Sequence, residues 1–212
     1  MTLRCDLRWR AAATPEAPAL EGAGRVLSFA QLAQLAERAA TWLDGVEPGG
    51  TAPVALLLED GAEFAAWFHG AMLAGRCVLP LNLRLTASEL AQQLADARAS
   101  CLLGATGDSR LTELRQRLPL LRAVAAPRAD DLPATAGRPQ RALDGNDALA
   151  VLYTSGTSGV AKGACLSWNN FLASADATGD LFGEAVRLRW LACMPLFHVG
   201  GLSLLVRSVV FG

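Results

Sequence analysis

The sequence predicts an α/β protein in which mostly parallel strands are flanked by helices. Short apolar runs at residues 53–58, 76–82 and 100–105 have the composition of strands that are buried on both faces. Segments of helical composition and length lie between them, at residues 61–75 and 86–98. This strand–helix alternation is typical of βαβ units, whose strands pair in parallel and whose helices cover the sheet.

Polar side chains mark the expected starts of three helices. In a capping box, a short side chain accepts a hydrogen bond from a free N–H of the first turn. A Glu or Gln three residues later accepts one from the N–H of the cap residue. We expect this arrangement, and a helix start, at three pairs of residues: Ser28 with Gln31, Asp60 with Glu63, and Thr86 with Glu89.

Prolines interrupt the pattern between residues 119 and 147. They lie among Arg, Asp, Ala and Gly, a composition typical of a surface connection. This stretch predicts a boundary between a first α/β sublobe, residues 1–147, and the start of a second, residues 148–212. Around the boundary we expect strands at 121–125, 148–153 and 190–195, a helix from about Ser167 and a last helix from about Gly201.

The bulk composition narrows the class of protein. The 19 Lys and Arg residues nearly balance the 20 Asp and Glu residues, so no field of one sign favours nucleic acid or an anionic membrane surface. The five cysteines include no Cys-x-x-Cys pair, which argues against a disulfide framework or a zinc site and favours buried, reduced thiols in a cytoplasmic protein. The longest uncharged apolar stretch, residues 64–75, is shorter than the roughly 20 residues of a membrane span. The composition leaves the oligomeric state open, a homo-oligomer included.

The densest local chemistry of the chain lies in a polar loop that follows an apolar run, in the stretch VLYTSGTSGVAKGACLSW at residues 151–168. Glycines let main-chain N–H groups approach a ligand closely, and successive N–H groups can form an anion-binding concavity. Hydroxyl side chains add donors, and one lysine adds a positive charge. These are the groups that hold a polyphosphate, and we expect that role for Thr154, Ser155, Gly156, Thr157, Ser158, Gly159 and Lys162. A solvated Gly/Ser turn is the alternative interpretation.

The loop does not fit the P-loop of nucleotide triphosphatases. That pattern, G-x-x-x-x-G-K-[ST], requires a second glycine and a hydroxyl residue that binds magnesium. Here Ala161 stands at the position of the glycine, and Gly163 stands at the position of the Ser or Thr.

Residues 153–163, YTSGTSGVAKG, closely resemble the signature loop of the adenylate-forming superfamily, apart from Ala161 at a position where that family has proline. The superfamily comprises acyl- and aryl-CoA synthetases, adenylation domains of peptide synthetases, and luciferases. Residues 27–43 resemble its first amphipathic helix, and residues 75–97 resemble its segment with Pro-Leu-Asn-x-Arg-Leu.

The resemblance implies a two-step reaction that uses ATP, Mg²⁺ and coenzyme A. A carboxylate attacks the α-phosphorus of ATP to give an acyl-adenylate and pyrophosphate, and a thiol then displaces AMP. It also implies that the loop at residues 154–163 holds the β- and γ-phosphates, with Lys162 and Mg²⁺ spreading the charge. Lys162 is thus a candidate catalytic residue.

Residues 190–212 carry the candidate acid-binding side chains. In the superfamily, a histidine in a Pro-Leu-Phe-His setting lies beside the acyl site. The resemblance therefore implies that His198 is a catalytic and substrate-binding residue that orients the carboxylate. Gly200, Ser203 and Arg207 share one stripe of the predicted last helix. An arginine among apolar neighbours suits a second carboxylate on the substrate. The alternatives are a structural histidine at 198, and an arginine that reaches the surface or pairs with an acid.

Residues 194–203, MPLFHVGGLS, followed by Arg207 and Ser208, resemble the o-succinylbenzoate–CoA ligases of menaquinone biosynthesis more than fatty-acyl or coumarate ligases. The apolar end of the chain favours the N-terminal portion of a longer ligase that is inactive alone. Its expected substrate is a small dicarboxylic acid, o-succinylbenzoate. Two alternatives stay open: another acyl- or aryl-CoA ligase, such as a fatty-acid–CoA ligase, and a non-catalytic nucleotide-binding module. In contrast to His198, His69 is predicted to be a packing residue in an apolar helix.

Overall fold

The structure, a computed structural model, describes residues 6–134, 144–154, 161–183 and 189–212. The helices are α1 Leu7–Ala13, α2 Phe29–Val46, α3 Ala62–Leu73, α4 Ala87–Asp96, α5 Arg110–Arg117, α6 Trp168–Phe182 and α7 Val199–Phe211, with a short 3-10 helix at Ala129–Asp131. The strands are β1 Pro18–Gly22, β2 Arg25–Ser28, β3 Val54–Leu57, β4 Val78–Pro80, β5 Cys101–Gly104, β6 Arg122–Ala125, β7 Ala148–Thr154 and β8 Lys162–Ser167.

The predicted α/β architecture is confirmed. Six strands form one sheet in the order β6-β5-β3-β4-β7-β8, and β1 pairs with β2 in a separate antiparallel hairpin. Pairing is parallel from β6 through β7, and only β8 runs antiparallel to its neighbour β7. Strands β7 and β8 belong to the same sheet as the preceding strands. The sheet therefore contains strands from both sides of the predicted boundary between residues 147 and 148. The division into sublobes at that point stays a prediction.

Two apolar cores explain why the strand sequences are continuously apolar. Val54 and Leu56 belong to a core that contains residues of α2 and α3, whereas Ala55 and Leu57 belong to a second core with residues of α4 and α5. Alternate side chains of one strand point to opposite faces of a sheet, so a strand covered on both faces needs apolar residues throughout.

Helix α3 lies within the first core and packs closely on α2. Its residues from Phe64 to Leu73 are all buried. A Cβ atom placed on Gly70 would lie 2.6 Å from the Cβ of Ala39 and 2.9 Å from the carbonyl oxygen of Ala36. The backbones of the two helices therefore approach closely at a position where only glycine fits.

Two of the three predicted capping boxes are present. Ser28 and Gln31 cap α2 reciprocally, and Thr86 and Glu89 do the same for α4. The helix expected from about Ser167 also begins there, since Ser167 is the N-cap of α6. These caps satisfy free N–H groups of each first turn and fix where each helix starts.

The predicted Asp60–Glu63 capping box is wrong. The N-cap of α3 is Gly61, which makes no side-chain cap bond. Asp60 Oδ1 instead accepts a hydrogen bond from the backbone N of Leu196 at 2.9 Å, and Glu63 Oε1 accepts one from the backbone N of Ala129 at 2.8 Å. Both carboxylates are used in long-range contacts, which a local sequence pattern does not reveal.

The strand predicted at residues 190–195 is also wrong. This segment has no regular secondary structure, and its apolar side chains include Leu191 at 84% exposure and Met194 at 48%. A strand needs a neighbour for its hydrogen-bonding ladder, and no described strand pairs with this segment. The last helix, α7, begins at Val199, two residues before the predicted start.

Arg10 ties the last helix to the first. Its Nε donates to the carbonyl oxygen of Val209 at 2.7 Å, and its Nη2 donates to that of Val210. A cation at a helix C-terminus satisfies free carbonyl groups and interacts favourably with the helix dipole. The C-terminal end of α7 is therefore held against α1.

The expectation of buried thiols holds for two cysteines. Cys77 and Cys101 are buried, and burial raises the pKa of Cys77 to about 12 and that of Cys101 to about 11. It is wrong for Cys165 and Cys193, which are exposed. These four cysteines are free thiols, and Cys5 lies outside the described residues.

None of the helices in the described ranges is long and apolar enough to span a membrane.

The prediction that His69 is a packing residue is confirmed. It lies on α3 with 3% of its surface exposed, and its ring makes an edge contact with Phe68 at 5.1 Å between centroids. Burial lowers the pKa of His69 to about 3. The imidazole is therefore neutral in the folded chain near neutral pH.

The pKa of His69 predicts acid sensitivity well above the range in which carboxylates titrate. Below about pH 6.5 the unfolded chain binds a proton at His69 that the folded chain does not, so stability is present above that pH and is lost as the pH falls toward 3. The slope approaches about 1.4 kcal/mol per pH unit. Urea unfolding of His69→Leu between pH 7 and 5 should show this slope removed. His198→Gln, at an exposed histidine, should retain it; equal slopes in His69→Leu and wild type would contradict the account.

The close approach of α2 and α3 predicts opposite effects at two helical glycines. Gly70→Ala should destabilise the chain by about 1–3 kcal/mol because its Cβ would force the helices apart. Gly45→Ala is the matched control, since nothing lies within 4 Å of the place that its Cβ would take on α2. It should stabilise by about 0.5–1 kcal/mol through helix propensity. Denaturant unfolding measures both, and a stabilising Gly70→Ala would refute the close packing.

Candidate functional site

The candidate site lies at the carboxyl edge of the parallel strands. β3, β4 and β7 are consecutive in the sheet and run in the same direction. β7 leads into the polar loop, while the loop after β3 carries Asp60, which binds the segment before α7. Neighbouring strands are spaced by about 4.8 Å, so β3 and β7 are about 10 Å apart. Ligands bind at this edge in open α/β sheets. The predicted phosphate-binding loop and the predicted acid-binding segment are both attached to it.

The polar loop is described at its two ends. Thr154 ends β7 and Lys162 begins β8, and the two residues are paired across the antiparallel register. Both are exposed. Lys162 therefore lies at the mouth of the loop, opposite Thr154. The other predicted phosphate-binding residues, Ser155, Gly156, Thr157, Ser158 and Gly159, lie outside the described residues.

The strand β8 is a feature that the sequence did not predict. It is an edge strand whose residues 162–165 are exposed, and it is built from Lys, Gly, Ala, Cys, Leu and Ser rather than from large β-branched residues. Its pairing with β7 brings Lys162 back to the carboxyl end of β7. The consequence is that one hairpin frames the whole polar loop.

Tyr153 anchors this hairpin to the rest of the fold. Its hydroxyl donates to the carboxylate of Asp96 and lies 3.1 Å from the carbonyl oxygen of Gln93, both on α4. Burial, together with the hydrogen bond to Asp96, raises the pKa of Tyr153. Tyr153 comes directly before the loop, so this contact fixes the end of β7. The partners are 57 and 60 residues away, and no local signal in the sequence indicated them.

His198 lies at the N-cap position of α7, which confirms that it precedes the helix. Its backbone N donates to the carbonyl oxygen of Pro195 at 3.0 Å, and its carbonyl oxygen accepts from Leu202 at 2.9 Å. The side chain is exposed, with its ring 4.4 Å from that of Phe197 between centroids. The imidazole is thus presented at the junction between the turn and the helix.

The first turn of α7 is packed under the preceding segment. A Cβ placed on Gly201 would overlap the carbonyl oxygen of Pro195, and one placed on Gly200 would lie 2.7 Å from the sulfur of Met194. Ser203 is buried, and its hydroxyl donates to the carbonyl oxygen of Gly200 at 3.0 Å. Gly200 and Ser203 therefore have packing and helix-internal roles, and their contact with a substrate stays a prediction.

Arg207 lies on α7 and faces α6. Its Nη2 donates to Ser174 Oγ at 3.1 Å, and its guanidinium lies 5.8 Å from the ring centroid of Trp190. Its Nε is buried and has no acceptor among the described residues, and none of the described carboxylates pairs with it. A buried N–H without an acceptor carries a desolvation cost. The guanidinium is thus chemically suited to receive an anionic group.

Within the described ranges, no group of three or more His, Cys, Asp or Glu side chains is arranged to hold a metal ion. The described side chains predicted to bind phosphate or the acid include two hydroxyls, of Thr154 and Ser203, and two cations, of Lys162 and Arg207. Such groups bind anions, because they donate hydrogen bonds or carry positive charge.

The sequence profile of the AMP-binding enzyme family matches residues 7–212. A 2-succinylbenzoate–CoA ligase of Bacillus mycoides is 32% identical over 206 residues, which is 97% of this chain and 41% of that protein. A 2-succinylbenzoate–CoA ligase of Bacillus cytotoxicus shows the same identity and the same coverage. The chain therefore spans about two fifths of the length of these curated relatives.

Solved structures show the same fold. The o-succinylbenzoate–CoA synthetase MenE of Bacillus subtilis in complex with AMP superposes with a TM-score of 0.87 at 29% identity, over 97% of this chain and 53% of that one. The N-terminal domain of FACL13 from Mycobacterium tuberculosis superposes with a TM-score of 0.83 at 25% identity, over 97% and 54% of the two chains. Sequence and structure agree along nearly the whole length, and the chain belongs to the AMP-binding enzyme family.

Proposed function

We propose that the chain forms part of an ATP-dependent carboxylate–CoA ligase whose acid is o-succinylbenzoate. Two findings support this. Its curated relatives at 32% identity are 2-succinylbenzoate–CoA ligases, and the similar MenE structure has also been solved with the acyl-adenylate OSB-AMP and with ATP and magnesium. The observation that carries the choice of a dicarboxylic acid is Arg207, whose buried Nε has no acceptor among the described residues.

In the first step, an acid carboxylate oxygen forms a bond to the α-phosphorus of ATP, and the bond from that phosphorus to the bridging oxygen of the β-phosphate breaks. Pyrophosphate leaves with the electron pair. An anion approaches a polyanion in this step, so positioning and charge neutralisation supply most of the catalysis. The Lys162 ammonium, opposite Thr154 at the mouth of the loop, supplies fixed positive charge there. Mg²⁺, which prefers phosphate oxygens, neutralises further charge on the triphosphate when bound.

In the second step, the thiol of coenzyme A loses its proton to solvent and its sulfur forms a bond to the acyl carbon of the adenylate. The acyl C–O bond breaks, and AMP leaves with the electron pair. His198 is placed at the N-terminal end of α7 with an exposed imidazole. In the proposal it orients the reacting carboxylate in the first step and the acyl group in the second.

Arg207 binds the second carboxylate of the acid in this proposal. A guanidinium that offers two N–H groups to a carboxylate forms charge-assisted hydrogen bonds and fixes its orientation. Trp190, 5.8 Å from the guanidinium, contributes an aromatic face of the kind that packs against a benzene ring. Arg207 thereby provides selectivity for a small aromatic dicarboxylate over an acid with an apolar tail.

A fatty-acid–CoA ligase is the second candidate. It is favoured by the structural likeness to a protein from Rhodopseudomonas palustris named as a putative long-chain-fatty-acid–CoA ligase, at a TM-score of 0.76 and 27% identity. In such an enzyme Arg207 would have no anionic partner in the substrate.

The proposed location is the cytoplasm, where ATP and coenzyme A are available.

Replacement of Arg207 separates the two candidates. In the full-length gene product, ATP–pyrophosphate exchange should depend on o-succinylbenzoate. Arg207→Leu should lower kcat/KM for o-succinylbenzoate by about 10-fold or more, because the second carboxylate loses its charge-assisted hydrogen bonds. An analogue without the second carboxylate should be used equally poorly by wild type and by Arg207→Leu.

Arg117→Leu is the matched control, since Arg117 makes an exposed ion pair on α5. It should leave exchange unchanged. Preference of the wild type for a medium-chain fatty acid, or full use of o-succinylbenzoate by Arg207→Leu, would contradict the assignment of the acid.

A further inference from the structure

We propose that Asp60 is a positioning residue for the acid site, because it holds the turn that carries His198. Asp60 follows β3 by three residues, and its Oδ1 accepts the backbone N–H of Leu196 at 2.9 Å. The two residues are 136 positions apart in the chain. This inference rests on the proposed function, since it assigns Asp60 a part in the reaction that His198 is proposed to serve.

The hydrogen bond is a direct polar link between this turn and the sheet edge. Pro195 has no N–H to donate, and the N–H of His198 is used inside the turn, on the carbonyl oxygen of Pro195. The N–H of Leu196 points outward to Asp60 instead. A carboxylate acceptor makes a stronger bond than a neutral one.

Packing makes the turn and the start of α7 one unit. The side chain of Leu196 is 5% exposed, although Met194 and Val199 on either side are about half exposed. The carbonyl oxygens of Met194 and Pro195 lie so close to the Cα of Gly201 that a Cβ there would overlap both. A displacement of the turn therefore displaces the helix start and His198 with it.

The sequence makes Asp60 available for this contact. The N-cap of its own helix is Gly61, so the Asp60 carboxylate is not used as a cap. Its place after β3 puts it at the same sheet edge as Thr154, the first residue of the phosphate loop. Asp60 thereby fixes the distance between the acid-orienting histidine and the loop that is proposed to hold the triphosphate. A misplacement of about 1 Å between reacting groups can cost about 100-fold in rate.

The test compares Asp60→Ala and Asp60→Asn with Glu59→Ala in the full-length gene product. Glu59 is the neighbouring exposed carboxylate and serves as the matched control. In ATP–pyrophosphate exchange with o-succinylbenzoate, Asp60→Ala should lower kcat/KM for the acid by about 10- to 100-fold. The KM for ATP should change by less than about twofold, since the described hydrogen bond of Asp60 is to the turn before α7.

Asp60→Asn keeps an oxygen acceptor and should recover kcat/KM to within about fivefold of wild type. Amide hydrogen exchange without substrate gives the second readout. Asp60→Ala should lose protection at Leu196, while Asp60→Asn and Glu59→Ala should retain it. A purely structural role would change the melting temperature but would not produce this split between acid and ATP.

Several results would overturn the proposal: retained protection of Leu196 in Asp60→Ala, equal losses for ATP and acid, or no recovery in Asp60→Asn. Failure of the proposed function is a separate result. It would show as wild-type protein that exchanges pyrophosphate with no carboxylic acid, and it does not alter the hydrogen-exchange readout at Leu196.

Discussion

The parallel order of β3, β4 and β7 is the constraint on which the rest of the site depends. Because these strands run in one direction, their carboxyl ends share one edge of the sheet. β7 delivers the polar loop to that edge, and the loop after β3 delivers Asp60. The strands are held by apolar side chains on both faces, in two cores that contain residues of α2 and α3 on one side and α4 and α5 on the other. Burial of the strands thus positions polar groups that are themselves exposed.

Helix α7 is attached at both ends, to α1 and to the loop after β3. Arg10 binds the carbonyl groups of its last turn, and Asp60 binds the turn that precedes it. Between these attachments, Arg207 faces α6 and leaves one buried N–H without an acceptor among the described residues. A helix fixed at both ends can hold a guanidinium in a set direction. His198 directly precedes this helix and Arg207 lies on it nine residues later; in the proposed function these are the two points of contact for an acid.

The sequence predicted the parts of the fold that depend on local burial. Runs such as residues 53–58 and 100–105 are apolar because both faces of each strand are covered, and the reciprocal caps at Ser28 and Thr86 involve neighbours three residues apart. It failed where distant partners decide the outcome. Asp60 and Glu63 have capping-box spacing, but bind Leu196 and Ala129 instead. The apolar segment 190–195 is no strand because it has no described neighbour to pair with. β8, α1 and the β1–β2 hairpin were missed because their short segments mix small, polar and apolar residues. Among the candidate site residues, the phosphate loop came from a motif, whereas the roles of Asp60 and Tyr153 came only from tertiary contacts.

In the proposed function, the hairpin loop that opens between Thr154 and Lys162 holds the triphosphate of ATP. The most direct test of this role is a crystal structure of the full-length gene product with ATP and Mg²⁺. We expect the β- and γ-phosphates inside this loop, with the Lys162 ammonium within hydrogen-bond distance of a phosphate oxygen. A triphosphate bound in another crevice, with the loop and Lys162 uninvolved, would contradict it.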